Sequence, residues 1–326
     1  VARLRAAGAV LVGRANMDEL AMGASTQTSA YGPTRNPADH RRSPGGSSGG
    51  CAAAVAAGLV PLSVGTDTGG SIREPASQCG VVGMAPSAGL VPMTGVLPFM
   101  AGLDRVGPLA RDVADTAALL AVLAGQHLPA AEPVTRVGVV AELAGDRNRP
   151  EVLASFAAWT ERLRVPLITI SLPDAPDALA AYMTLTSVAA LEWLEPWLAT
   201  GRAGEEVVRR HAYAVELVEH GSDRIRWAEQ VRQRLREQVA RALTTVDVLV
   251  SPTMPTTAPL LFGSVTPEEL ADPLAAPYTD CWTVVANLAG LPALSVPGPP
   301  ADGQPVGTML MGRPGSDASL LRFGAL

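Results

Sequence analysis

Two serines stand in settings that suit nucleophilic chemistry. Ser47 lies in Pro44-Gly45-Gly46-Ser47-Ser48-Gly49-Gly50, and Ser71 ends Gly65-Thr66-Asp67-Thr68-Gly69-Gly70-Ser71. A serine hydroxyl attacks a carbonyl only when a base takes its proton and fixed donors meet the developing oxyanion. Glycines around it open backbone torsions closed to other residues and let a substrate approach the main chain. A serine on a tight turn between strand and helix sits where successive N–H groups converge, which suits a tetrahedral intermediate. Plainer readings also fit. The second stretch reads equally as a glycine-rich strand end with a capping serine. The first reads as a flexible turn, or as a phosphate cradle at a helix whose free N–H groups point back at the loop. The cradle lacks the GK[ST] ending of a phosphate-binding loop.

The surrounding pattern must position these loops. Short apolar runs at 9–13, 59–65, 136–141, 166–172, 246–251 and 293–297 read as buried strands, and helical patterns fall at 49–57, 110–124, 151–164 and 175–198. This alternation predicts an α/β fold: a mixed, mostly parallel central sheet with helices on both faces. Residues 205–243 read as charged helix with Glu205/Arg209, Glu206/Arg210 and Glu237/Arg241 in the favourable i,i+4 order. The Pro- and Thr-rich stretch 252–277 reads as a surface connection. One helix and one strand join the two serine loops, so the fold can return Ser71 beside Ser47.

Composition narrows the function. The chain has 326 residues and a net charge of −6, which gives no global pull toward nucleic acid or an anionic membrane. No apolar run reaches a membrane-spanning length, and a cytoplasmic location is expected. Cys51, Cys79 and Cys281 read as free thiols. His40, His127, His211 and His220 have no metal-ligand spacing, so neither a metal site nor a cofactor is expected. All 25 basic residues are arginine. Lysine chemistry of any kind is therefore absent from this sequence.

PGGSSGGCAAAVAAG at 44–58 and GTDTGGSIREPASQCGVVG at 65–83 together resemble the amidase signature family. Residues 8–37 and 103–125 resemble it too. Residues 246–256 and 272–297 are similar to its tRNA-dependent amidotransferase branch. The resemblance implies one amidase-signature domain over 1–326, truncated at the amino end, with 142–245 as a diverged helical substrate-side region. It implies Ser71 as the acylated nucleophile and Ser47 as a bridging serine after a cis Gly46–Ser47 bond. Thr68, Gly69 and Gly70 would supply oxyanion-hole amides; Ser48, Gly46, Thr66, Asp67 and Arg73 would brace the loops, with Asp104 and Arg111 packing nearby. The branch implies glutamine, held by Asp280 and by Arg209 or Arg210. It also implies the amidotransferase B and C subunits as partners and, through them, tRNA.

The family's base is a lysine, which family spacing places upstream of Val1; arginine cannot replace it, because it keeps its proton. Two readings follow: an active amidase whose lysine lies upstream, or a non-catalytic protein with a binding or assembly role. Within the enzyme class, LEWLEPW at 191–197 and HAYAVELVEHGS at 211–222 depart from the glutamine-specific pattern. The rival is a stand-alone amidase for small aliphatic or aromatic amides, with Trp193, Trp197 and Trp282 lining a pocket or simply filling core. Asp280→Ala separates the two: loss of glutaminase activity with simple amides spared supports glutamine recognition.

Overall fold

The computed structural model describes residues 1–261 and 282–326. Its strands are β1 (Leu62–Asp67), β2 (Val82–Ala85), β3 (Arg105–Ala110), β4 (Val137–Val140), β5 (Leu167–Ile170), β6 (Val248–Pro252), β7 (Ala293–Pro297) and β8 (Gly307–Met311). They form one sheet in the order β1-β3-β2-β7-β8-β6-β4-β5. The helices are α1 (Ala2–Ala6), α2 (Gly49–Ala56), α3 (Arg73–Cys79), α4 (Val113–Ala124), α5 (Pro150–Thr160), α6 (Ala178–Leu198), α7 (Glu205–His220), α8 (Ser222–Thr245), α9 (Val284–Ala289) and α10 (Asp317–Gly324). No described helix is long and apolar enough to cross a membrane.

Alternation along the central strands sends apolar side chains to both faces. Val248, Val250, Leu294, Val296 and Leu310 pack with α4, α5 and α10, while Leu249, Ala293, Met309 and Met311 pack with α6, α8 and α9. Helices α2 and α3 pack on Leu109 of β3. On α6 the buried Ala178, Ala181, Tyr182 and Leu185 follow the i, i+3, i+4, i+7 spacing of a helix laid on a core.

The α/β class and the mixed sheet agree with the sequence reading; the predominance of parallel pairing does not. Only β4–β5 and β4–β6 are parallel, and the other five pairings are antiparallel. The reason is in β2, β3 and β8, which the apolar-run reading overlooks. For instance, the 298–306 link between β7 and β8 is too short for a parallel crossover.

Three local expectations are also corrected. The 9–13 run is not a strand: no described strand lies beside it, and Val10 and Val12 are exposed. The 205–243 helix is two helices broken at Gly221, and Arg209 pairs with Glu206 at i,i+3 instead of Glu205. The described part of 252–277 is largely buried, because Thr253 N–H donates to Gly307 O (2.8 Å), Arg149 N–H to Pro255 O (2.8 Å), and Arg42 Nη1 to Ala258 O (2.6 Å).

One buried ion pair sets the geometry between β1 and α3. Asp67 ends β1 and Arg73 starts α3, both with no exposure. The guanidinium grips the carboxylate through two bonds, Nη2–Oδ1 at 2.9 Å and Nε–Oδ2 at 3.0 Å. Ile72 N–H donates to Asp67 Oδ2 (3.1 Å), and Asn287 of α9 donates to Asp67 Oδ1 (2.9 Å) while accepting from Arg73 Nη2 (2.5 Å). Arg73 Nη1 reaches Thr283 O at 2.9 Å. Burial pushes the Asp67 carboxyl up, but Arg73, Asn287 and Ile72 outweigh it and hold it below its ordinary value of 3.8.

Removing one partner leaves a buried charge uncompensated, so Arg73→Met is expected to cost ~3–5 kcal/mol at neutral pH. Because the folded-state value is lowered, the stability from Asp67 ionisation is full above 3.8 and is lost as pH falls through the folded value. Urea unfolding of both proteins between about pH 7 and pH 2.5 should show the gap closing only in acid; a gap independent of pH contradicts this account.

Candidate active site

The loop before α2 is fixed by two polar side chains from 18–28. Asp18, fully buried, accepts from the N–H groups of Ser25 (3.1 Å), Thr26 (2.8 Å), Gln27 (3.1 Å) and Thr28 (3.3 Å) and from Thr28 Oγ1 (2.9 Å). Burial pushes its carboxyl above the ordinary range against the pull of these bonds. Thr26 Oγ1 donates to Gly45 O (2.8 Å) and accepts from Gly49 N–H (3.1 Å), and Asp18 N–H donates to Ser47 O (3.3 Å). Between these anchors the Gly46–Ser47 peptide bond is cis, as the resemblance implies. The N-terminal N–H groups of α2 are not free for an anion. Gly49 donates to Thr26 and Gly50 to Asn16 O (3.1 Å), which removes the phosphate-cradle reading.

The second loop runs from the end of β1 to α3 and is held by the Asp67–Arg73 pair. Gly70 has φ +148°, a torsion that side chains disfavour. Gly70 O accepts from Glu74 N–H (2.8 Å), and Gly69 O accepts from Thr283 Oγ1 (2.7 Å). Thr68 Oγ1 donates to Asp104 Oδ1 (2.7 Å), whose carboxylate also accepts from the N–H groups of Phe99 and Met100. Gly69, Gly70 and Ser71 are buried, and among the described residues their N–H groups donate to no protein acceptor. Buried donors without acceptors are rare. Three in a row are the kind of donor set that a main-chain anion site uses.

The two loops touch through their backbones: Ser48 N–H donates to Ser71 O at 3.1 Å. Ser48 Oγ leaves α2 uncapped, donating to Thr66 O (3.1 Å) and accepting from Thr66 N–H (3.1 Å), so it pins the first loop to β1. Ser47 Oγ is buried and has no hydrogen-bond partner among the described residues. Ser71 is not the cap of α3, a position taken by Ile72.

The remaining predicted residues are dispersed. Arg210 is buried, with Nη1 3.4 Å from Thr186 Oγ1, Nη2 3.4 Å from Met183 Sδ and its guanidinium over the Phe99 ring at 5.5 Å. Arg209 is exposed in its pair with Glu206. Arg111 is exposed and does not pack near the serines; it lines a surface cavity with Trp159 and Leu326. Trp282 is core, donating to Asn148 Oδ1 (2.8 Å); Trp193 stacks edge-on with Phe99, and Trp197 is 44% exposed. Cys51 and Cys79 are free thiols, while Asp280 and Cys281 lie outside the described residues. Among the described residues no His, Cys, Asp and Glu cluster fits a metal. Sequence reasoning gave no role to Asp18, Thr26, Tyr182, Thr283 or Asn287. Asp18 and Thr26 lay within the family-like stretch 8–37, but nothing in their spacing says which loop they hold.

Comparison with known proteins agrees with this geometry. The family model described as Amidase matches residues 1–321. The A subunit of glutamyl-tRNA(Gln) amidotransferase from Nitratidesulfovibrio vulgaris (strain DP4) is 40% identical over 372 residues, covering 99% of this chain and 75% of that protein. The crystal structure of the Thermotoga maritima A subunit of the same enzyme superposes with a TM-score of 0.83 at 35% identity, covering 98% of this chain and 74% of the other. A crystal structure described as an amidase gives a TM-score of 0.89 at 34% identity, over 100% of this chain and 75% of its own. With its family model matched almost end to end and a relative 40% identical across 99% of its length, this chain belongs to the Amidase family.

Proposed function

We propose that the protein cleaves the C–N bond of a carboxamide through an acyl-enzyme on Ser71, with glutamine as the substrate. The observation that carries the reading is the row of three buried N–H groups at Gly69, Gly70 and Ser71 that have no acceptor among the described residues. Ser71 Oγ adds to the amide carbon, and the carbonyl oxygen becomes an oxyanion met by those donors. Its proton passes by way of Ser47 Oγ to a base. The C–N bond then breaks as the leaving nitrogen takes a proton, and water hydrolyses the ester. The buried Ser47 hydroxyl, without a partner among the described residues, supports that relay. These 326 residues contain no lysine, so the relay's terminal amine is not among them. The competing binding or assembly reading rests on that same fact.

Glutamine is favoured by Arg210. Among the described residues its buried guanidinium makes no ion pair, and an uncompensated buried cation is costly unless a ligand supplies the anion. It sits on Phe99, whose N–H donates to Asp104, which in turn accepts from Thr68 beside the nest. A glutamine carboxylate on Arg210 would orient the side-chain amide toward Ser71, with Asp280 as the proposed partner of its amino group. By analogy with the glutamyl-tRNA(Gln) amidotransferase relatives, ammonia would pass to partner proteins that amidate a charged tRNA.

A fluorophosphonate label should appear on the unaltered chain and vanish in Ser71→Ala together with all amide turnover. Ser47→Ala should lower turnover by ~10²–10⁴. Turnover that survives Ser71→Ala ends the proposal, and an unlabelled but folded parent chain favours the binding reading. For the substrate, Arg210→Met should raise KM for glutamine on the order of tenfold or more while leaving a simple aliphatic amide unaffected; equal effects on both would favour the stand-alone amidase.

A further inference from the structure

We infer that Thr283 is a positioning residue for the oxyanion donors: its hydroxyl fixes the Gly69–Gly70 peptide plane and thereby aims the Gly70 N–H at the reacting carbonyl oxygen. The inference rests on the reading of Ser71 as nucleophile. Thr283 occupies the N-cap of α9, where a threonine oxygen ordinarily accepts from the first turn of its own helix. Here it makes no such cap. Instead Oγ1 donates to Gly69 O at 2.7 Å from a fully buried position, so the helix forgoes a stabilising bond while the loop gains one.

The consequence follows from peptide geometry. The Gly69–Gly70 bond is trans, so its C=O and N–H point in opposite directions, and fixing the oxygen fixes the N–H. A peptide between two glycines has the least intrinsic resistance to rotation of its plane. Three neighbours hold this peptide and the one that follows it. Thr283 takes the Gly69 oxygen, Glu74 N–H takes the Gly70 oxygen (2.8 Å), and the Tyr182 ring stands where a side chain on Gly69 would be. Thr283 O also accepts from Arg73 Nη1 (2.9 Å), so both polar groups of one residue grip the loop. A donor on the carbonyl also polarises the peptide and strengthens its N–H as a donor.

The test measures binding, with turnover not required. An alkylboronic acid forms a tetrahedral adduct on a serine and places a negatively charged oxygen where the oxyanion would stand; a simple carboxamide reports binding without that charge. Both are titrated by calorimetry against the full chain and against Thr283→Val, Thr283→Ser and Ser71→Ala. Thr283→Val should weaken the boronate on the order of tenfold while the carboxamide changes by less than about twofold, and Thr283→Ser should retain boronate affinity. If Thr283→Val does not fold, Thr283→Ala takes its place with the same expectation. A boronate affinity unchanged by loss of the hydroxyl, an equal loss in Thr283→Ser, or parallel weakening of both ligands overturns the inference. A boronate that binds equally to Ser71→Ala removes the nucleophile reading and this inference with it; a Ser71-dependent adduct indifferent to Thr283 removes the inference alone.

Discussion

The loop that presents Ser71 traces back to the buried contact between Asp67 and Arg73. The carboxylate at the end of β1 and the guanidinium at the start of α3 have no solvent to share their charge with, so the chain between them must fold back on itself. That reversal contains Thr68, Gly69, Gly70 and Ser71. Because Asn287 and the backbone of Thr283 complete the coordination of the same pair, α9 is locked against the loop from the other side. Residues separated by more than two hundred positions thus meet around one charge pair. A buried pair adds little to net stability over an apolar replacement, so its value here lies in geometry: few other contacts constrain direction as tightly as a bidentate bond.

The loop carrying Ser47 is fixed by a different device. Asp18 gathers four consecutive amides and one hydroxyl into a compact turn, and Thr26 from that turn clamps Gly45 and Gly49 on either side of the cis bond. Carboxylates buried in nests of amides can be held ionised by those donors, yet burial prevails at Asp18 and its carboxyl lies above the usual range. The two serine loops are thus braced from separate parts of the chain and meet through Ser48, whose backbone bonds Ser71 and whose hydroxyl bonds Thr66. Most of this brace is hydrogen bonding to backbone, which suits loops too rich in glycine to be held by packing.

The region after β5 packs against the loop that carries Ser71. Helix α6 lays Tyr182 on Gly69, and α7 places Arg210 against Phe99 and the same face of α6. Among the described residues Arg210 has no counter-charge, and an arginine buried so is a poor stability device. It is linked to the Gly69–Ser71 loop through Phe99, Asp104 and Thr68.

The residues of the site were legible in the sequence in proportion to how local their cause is. Glycine next to serine speaks directly of backbone freedom, and the strand–turn–helix setting of Ser71 follows from the apolar run before it and Pro75 after it. The apolar alternation also foretold an α/β sheet covered on both faces. Strand direction was not foretold, since a strand buried on both faces reads the same whether its neighbours run parallel or antiparallel. The 9–13 run failed for the complementary reason: apolar residues make a strand only when another strand supplies hydrogen bonds. Likewise, Glu206 and Arg210 have the spacing of a helix-face pair, but tertiary packing turned Arg210 inward and gave Glu206 to Arg209. The amino-acid order by itself determined which backbone segments are free to bend around a hydroxyl. Only the tertiary structure decided which distant side chains, Asp18, Thr283 and Asn287 among them, hold those bends in one geometry, because hydrogen-bond partners far apart in the chain leave no periodic trace along it.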